Sequence, residues 1–250
     1  MSYEFAKRTN PSTKPRFLSL EGAYHGDTVG AVSAGHIDLF HKAYSGLLFN
    51  TDKAMSPYCY RCPFNKASSE RADARTYRNC KMECTKQVEK KFELRKKQGG
   101  NYSAFLVEPV IQGPAGLIAQ PKGWLSKVSN IARSHGTQII ADEVMTGLGR
   151  ASDNTFACHS ENIQPDYLCI AKGLTGGYLP MAATITTQKV FDAFLGEYSE
   201  FKTFFHGHSF TGNPLGAAAS LASLELLESN KEKRINLAKN IKEYSKKLWN

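Results

Sequence analysis

This 250-residue sequence predicts an α/β fold, a mostly parallel sheet with helices on both faces. Three observations carry the prediction. From about residue 104 onward, short apolar runs alternate with longer amphipathic stretches, the pattern of strands joined by crossover helices. Two of those runs, Ile139-Ile140-Ala141 and Tyr167-Leu168-Cys169-Ile170, lack polar alternation, as strands covered on both faces do. Each run leads to a reactive side chain, Asp142-Glu143 after the first and Lys172 after the second. Ligands in such folds bind beyond the carboxyl ends of the strands.

The elements follow in order. Phe17 to Leu20 reads as a short strand entering a turn at Gly22 to Asp27, and Thr28 to Ala34 begins a helix. Residues 50 to 67, with Pro57 and Pro63, read as an irregular excursion. Ser68 to Lys97 is a long charged stretch of helical character, stopped at Gly99-Gly100. Ala104 to Val107 is a strand, Lys122 to Ser134 an amphipathic helix and Gln138 to Ala141 a buried strand. Tyr167 to Ile170 and Ala182 to Thr186 are further strands. Asn213 to Glu228, rich in Ala and Leu, is a helix with Pro214 in its first turn, where its missing N–H costs nothing. Internal repeats and low-complexity tracts are not apparent.

Composition is that of a globular protein, 41% hydrophobic and 22% charged. The net charge of +9 is concentrated in Lys7 to Arg16, Lys81 to Lys97 and Lys231 to Lys247, where acidic residues alternate with the basic ones. Mixed-sign runs at helical spacing are solvated helix faces, and aromatics for stacking on bases are not interleaved, so no nucleic-acid partner is expected. No apolar run has the length of a membrane span, and the first residues do not read as a signal peptide; a cytoplasmic protein with no membrane partner is expected. Cys158 and Cys169 sit in apolar surroundings and read as core residues. The other cysteines form Cys59-x2-Cys62 and Cys80-x3-Cys84. Paired thiols in a cytosolic chain point to zinc rather than disulfides, but the second spacing is looser than the usual two-residue gap. No metal ligand is assigned: four unligated thiols are the preferred reading, and zinc at these four cysteines is left open. The segment of about 50–98 that carries them is expected to lie away from the chemistry.

The acid and the lysine match the needs of pyridoxal 5'-phosphate. A lysine amine forms a Schiff base with the aldehyde, and a carboxylate keeps the pyridine nitrogen protonated so that the ring accepts electrons. Lys172 is assigned the first role and, once displaced, the transfer of a proton between substrate and cofactor carbons. Asp142 is assigned the second. Gly173, Gly176 and Gly177 allow backbone close to the ring. Glu143 reads as a helix-start or surface carboxylate. Taken singly, Asp142 and Lys172 would be an ordinary strand cap and an ordinary surface lysine.

With Ile139 to Gly177 in view, the chain resembles the class III pyridoxal-phosphate-dependent aminotransferases. That resemblance implies the large cofactor domain of the fold-type I aminotransferases. It also implies further site residues. In Tyr24-His25-Gly26-Asp27-Thr28, Tyr24 would stack on the cofactor ring. In Glu108-Pro109-Val110-Ile111-Gln112-Gly113, Glu108 would stand beside the cofactor. In the loop Phe205 to Pro214, Ser209, a threonine in many relatives, would supply a hydroxyl to the phosphate of a neighbouring subunit, with His206 and His208 supporting the loop. A homodimer with a shared active site follows from the same resemblance. Asp27, Pro114-Ala115 and Met145 depart from the ornithine branch, and Ala23 to Thr28, Asp142 to Gly147 and His206 to Ser209 resemble the diaminopelargonate-forming branch. That branch takes nitrogen from a donor amine, S-adenosylmethionine in most members and lysine in some, and passes it to 8-amino-7-oxononanoate in biotin synthesis. Two other readings stand beside it: a class III aminotransferase of ω-amino acids or diamines, and a non-catalytic, zinc-stabilised module. The resemblance runs from about Arg16 to Glu228. It implies that residues 1–250 form part of the large domain, with an N-terminal phosphate-cradling segment and a C-terminal small domain outside the chain. Weak cofactor binding and little turnover are expected of the chain alone.

Overall fold

The computed structural model describes residues 1–64 and 80–249. Helix α1 (Ser2–Thr9) precedes strand β1 (Phe17–Leu20), followed by α2 (Val29–Ala34), α3 (Asp38–His41) and β2 (Asp52–Ala54). After α4 (Glu83–Lys97) come β3 (Ala104–Val107) and a small hairpin of β4 (Ile111–Gln112) and β5 (Ile118–Ala119). Helix α5 (Trp124–Ser134) leads to β6 (Gln138–Asp142), then β7 (Tyr167–Ile170), β8 (Ala183–Thr186) and α6 (Gln188–Asp192). Two long helices close the chain, α7 (Pro214–Ser229) and α8 (Lys231–Trp249).

The main sheet has six strands in the order β2-β1-β3-β6-β7-β8. All neighbours are parallel except β7 and β8, which pair antiparallel at one edge. The carboxyl ends of β1, β3, β6 and β7 therefore lie along one margin. β1 leads toward β2 on one side and β3 toward β6 on the other, so the crevice of such folds opens between β1 and β3.

Alternation along the strands assigns their two faces. Leu18, Leu20, Phe105, Val107, Ile139 and Ala141 pack with Val88 and Phe92 of α4 and Leu125, Val128 and Ala132 of α5. Phe92 meets Tyr102 and Phe105 edge-on, with centroids at 5.4 and 6.4 Å, contacts worth about 0.5–1.5 kcal/mol each beyond their burial. On the opposite face Ile140 and Tyr167 meet Phe5 of α1 and Val190 of α6. Arg8 fastens α1 there, bonding Glu4 and the carbonyl of Ala193 and lying over the Phe194 ring. Ser19, between Leu18 and Leu20, faces that side and donates to the carbonyl of Ala34 at the end of α2. Helices on both faces and a mostly parallel sheet are what the alternating runs predict.

Several boundaries differ from the sequence expectation. Asp52–Ala54 is an edge strand paired with Leu18–Leu20, where an irregular excursion was expected. Three residues, two of them charged, give no period to read. Of the helix expected over Ser68 to Lys97, residues 68–79 lie outside the described residues, and the helix begins at Glu83, after Met82 at φ +55°. Helix α5 starts at Trp124 rather than Lys122 because Gly123, at φ +80°, stands in the left-handed region just before it. Helix α1, too short for a clear apolar stripe, was hidden in a charged N-terminal stretch. Among the described residues no helix is long and apolar enough to cross a membrane.

Candidate active site

Asp142 ends β6 and Cys169 is its register partner on β7, so Lys172 stands three residues further along the neighbouring parallel strand. The strand ends thus bring the acid and the amine to the same margin. Asp142 is largely buried. Its Oδ1 accepts the amide of Val144 at 3.1 Å, and its Oδ2 is 2.7 Å from Nδ1 of His25. Both bonds orient the carboxylate, and the second joins it to the turn after β1.

His25 is the residue that the sequence reading passed over. Its side chain is 4% exposed, and its Nε2 is buried without a partner among the described residues. A signal was present: a histidine between the aromatic Tyr24 and Gly26, immediately after a buried strand, on the segment quoted for its tyrosine. Its meaning depends on the 117-residue separation from Asp142, which only the sheet closes.

Glu108 follows β3 and is buried in the crevice. Its Oε2 accepts the amide of Gly113 at 2.8 Å and its Oε1 that of Tyr24 at 3.4 Å, tying the β1 and β3 loops together. Burial raises the Glu108 carboxyl above the usual range, partly opposed by the Gly113 amide and by nearby His25. Tyr24 is half-buried, its ring parallel to His41 at 6.1 Å and edge-on to Phe40 at 6.0 Å. Its hydroxyl donates to Asp27 at 2.8 Å, which raises the phenol above its ordinary value.

Lys172 opens a 3-10 turn (Lys172–Thr175) at φ +47°. A non-glycine residue there carries about 1–3 kcal/mol of strain, a cost that persists where surrounding structure enforces it. The enforcing contacts come from α7: Ser223 donates to the carbonyl of Gly173 at 2.9 Å. The lysine is exposed and lines a groove of about 1220 Å³ with Tyr178, Met181, His208 and Phe210. Ser209 is exposed in its loop. Its neighbours share the groove with Lys172, but among the described residues no hydrogen bond ties Ser209 to Asp142 or Glu108. His208 supports its own loop, Nδ1 accepting the amide of Phe210 at 3.1 Å. The structure therefore joins Asp142, Glu108 and Tyr24 into one bonded cluster through His25 and backbone amides, sets Lys172 just past the end of the next strand, and leaves Ser209 outside that cluster.

Glu143 departs from the surface role expected of it. It is 1% exposed, and its carboxylate accepts the amides of Ala157 and Cys158, both at 2.7 Å. Those bonds fix the turn at Ala157–Glu161 behind the site. In sequence it cannot be told from its exposed equivalents because its partners lie fourteen and fifteen residues away.

The model of the class III aminotransferases matches residues 1–250, and the chain belongs to that family. It is 48% identical over 231 residues to adenosylmethionine-8-amino-7-oxononanoate aminotransferase of Geobacter sulfurreducens, covering 92% of this chain and 48% of that protein. The crystal structure of the enzyme of the same name from Methanocaldococcus jannaschii superposes with a TM-score of 0.78 at 35% identity, over 98% of this chain and 52% of that one. An amine transaminase from an uncultivated Pseudomonas species, in its pyridoxal-phosphate-bound form, superposes at 0.79 with 30% identity, over 92% and 49%. The chain spans about half the length of the relatives it matches.

Proposed function

We propose that this chain is part of the cofactor domain of a pyridoxal-phosphate-dependent transaminase that aminates 8-amino-7-oxononanoate to 7,8-diaminononanoate, in biotin biosynthesis. The observation that carries the reading is the buried Asp142–His25 pair at the end of β6, beside the β7 end that presents Lys172. The donor set suits the cofactor. A carboxylate held by His25 and Val144 retains lone pairs for a pyridinium N–H, and a primary amine stands just past the end of the next strand. Bound there, pyridoxal phosphate supplies an electron sink for the carbon that loses or gains nitrogen.

The protein's residues do the rest. Lys172 would hold the cofactor through its amine and, once released, move a proton at the substrate carbon. Asp142 keeps the ring nitrogen protonated, and His25 keeps Asp142 in register. Tyr24 would offer an aromatic face to the ring, Glu108 ties the surrounding loops together, and Ser209 would supply a hydroxyl to a phosphate in a homodimer. S-adenosylmethionine is the donor that the names of the relatives favour; lysine is the donor to compare with it. A cytoplasmic setting accords with the lack of a membrane-crossing helix among the described residues.

Borohydride reduction of cofactor-loaded protein followed by peptide mapping should place the pyridoxyl group on Lys172, and Lys172→Ala should lose it. Label on another lysine would falsify the assignment. Amination of 8-amino-7-oxononanoate, measured in parallel with S-adenosylmethionine and with lysine, tests the substrates separately.

A further inference from the structure

A side chain that offers a flat face to a ligand works only if its own ring is held. Tyr24 is half-buried, and three neighbours bear on it. Its hydroxyl donates to Asp27 at 2.8 Å, which fixes the far end of the ring but leaves its tilt open. Phe40 meets it edge-on at 6.0 Å, yet Phe40 is itself 44% exposed. His41 lies parallel to it within 8°, with centroids 6.1 Å apart, and is 6% exposed. Of the two rings beside Tyr24, His41 is the one that the fold holds in place.

The holding contacts come from the end of α2 and from α3. A Cβ at Gly35 would overlap Cε1 of His41 and stand 2.9 Å from its Nδ1, so the imidazole sits against bare backbone. Gly35 has φ −84°, an angle open to any residue, so the ring rather than the backbone is what calls for glycine there. Nδ1 of His41 accepts the amide of Ile37 at 3.2 Å, tying the end of α3 back to its start. Its Nε2 is buried without a partner among the described residues. An unpaired polar atom in the interior is a cost that a phenyl ring would avoid. The position therefore uses one acceptor atom and one aromatic face, and the face is turned to Tyr24.

We propose that His41 is a positioning residue for Tyr24: braced against Gly35, its ring sets the tilt at which the Tyr24 ring meets pyridoxal phosphate. The inference rests on the stacking role proposed for Tyr24 and adds the residue that orients the platform. Offset parallel rings attract one another enough to favour a single orientation.

Two substitutions separate this role from the tying of α3. His41→Phe keeps an aromatic face and loses the acceptor for Ile37; His41→Asn keeps an acceptor and loses the face. The first readout uses the whole chain without cofactor: nuclear Overhauser cross-peaks should connect the ring protons of Tyr24 and His41. In the second, pyridoxal phosphate is titrated into the whole chain and followed by its induced visible circular dichroism, which reports the tilt of the bound ring. Tyr24→Ala should alter that band. His41→Asn should alter it in the same sense and weaken binding about two- to tenfold, and His41→Phe should restore both. No induced band in the wild type, or none altered by Tyr24→Ala, would overturn the stacking reading of Tyr24 and this inference with it. A band altered by Tyr24→Ala but not by His41→Asn would leave Tyr24 its role and remove His41. So would equal loss in the Phe and Asn variants, or the absence of cross-peaks between the two rings.

Discussion

In the proposed site, a carboxylate that serves a pyridinium has to be both buried and aimed, and His25 is the residue that would aim Asp142. Hydrogen bonds to charged groups contribute about 1.5–3 kcal/mol, so His25→Phe is expected to weaken cofactor binding by one to two decades. The pH dependence of the bound cofactor's absorbance should move as well, which a purely structural role would not cause. An unchanged spectral titration would remove His25 from the site. His36 gives a second expectation at this scale. Burial first, then Lys53 and the neighbouring histidines, lowers its imidazole from 6.5 to about 4. The unfolded chain therefore binds more protons than the folded one between those values, and stability contributed by neutral His36 is present above 6.5 and lost as pH falls toward 4. Urea midpoints measured across that window should fall with pH in the wild type and fall less steeply in His36→Gln; equal slopes would contradict the assignment.

Turns rather than strands carry the demanding geometry among the elements. Gly147 shows this most sharply: a Cβ there would lie 2.8 Å from the carbonyl oxygen of Glu143 and 3.1 Å from its Cβ. Backbone cannot yield without moving Glu143, whose carboxylate holds the amides of Ala157 and Cys158. Gly147→Ala is expected to destabilise by about 1–3 kcal/mol. Gly30, within α2, has open space where a Cβ would go, and Gly30→Ala should stabilise by up to about 1 kcal/mol. Denaturant unfolding of the two variants should therefore show opposite signs. Matching signs would mean that helix propensity or the close approach at 147 has been misjudged.

At the scale of the whole molecule, α7 is apolar on nearly every side, with Leu215, Leu221 and Leu226 each more than 60% exposed. Continuous apolar surface of that kind promotes association, and the proposed homodimer would cover part of it while the Ser209 loop crosses to the partner. Sedimentation velocity should find a species larger than a monomer, and Leu221→Lys with Leu226→Lys should shift it toward monomer. A wild-type chain that stays monomeric at micromolar concentration would count against the dimer.

What the sequence by itself determined is local and periodic. The apolar runs, the residues that end them and the glycines that follow place Asp142 at the end of one strand and Lys172 just past the end of the next, because a strand's burial and its terminus are written in adjacent residues. The resemblance of those motifs to one family reached the same class that the match over the whole chain shows. Tertiary structure decided which polar residues face inward. Glu143 and His25 look ordinary in sequence, and the edge strand Asp52–Ala54 looks like a loop, since each acquires its role from partners between 14 and 117 positions away. Pairing of β1, β3 and β6 closes those distances. The energy that rewards a buried carboxylate or a short strand comes from groups delivered by that pairing, and no local pattern encodes it.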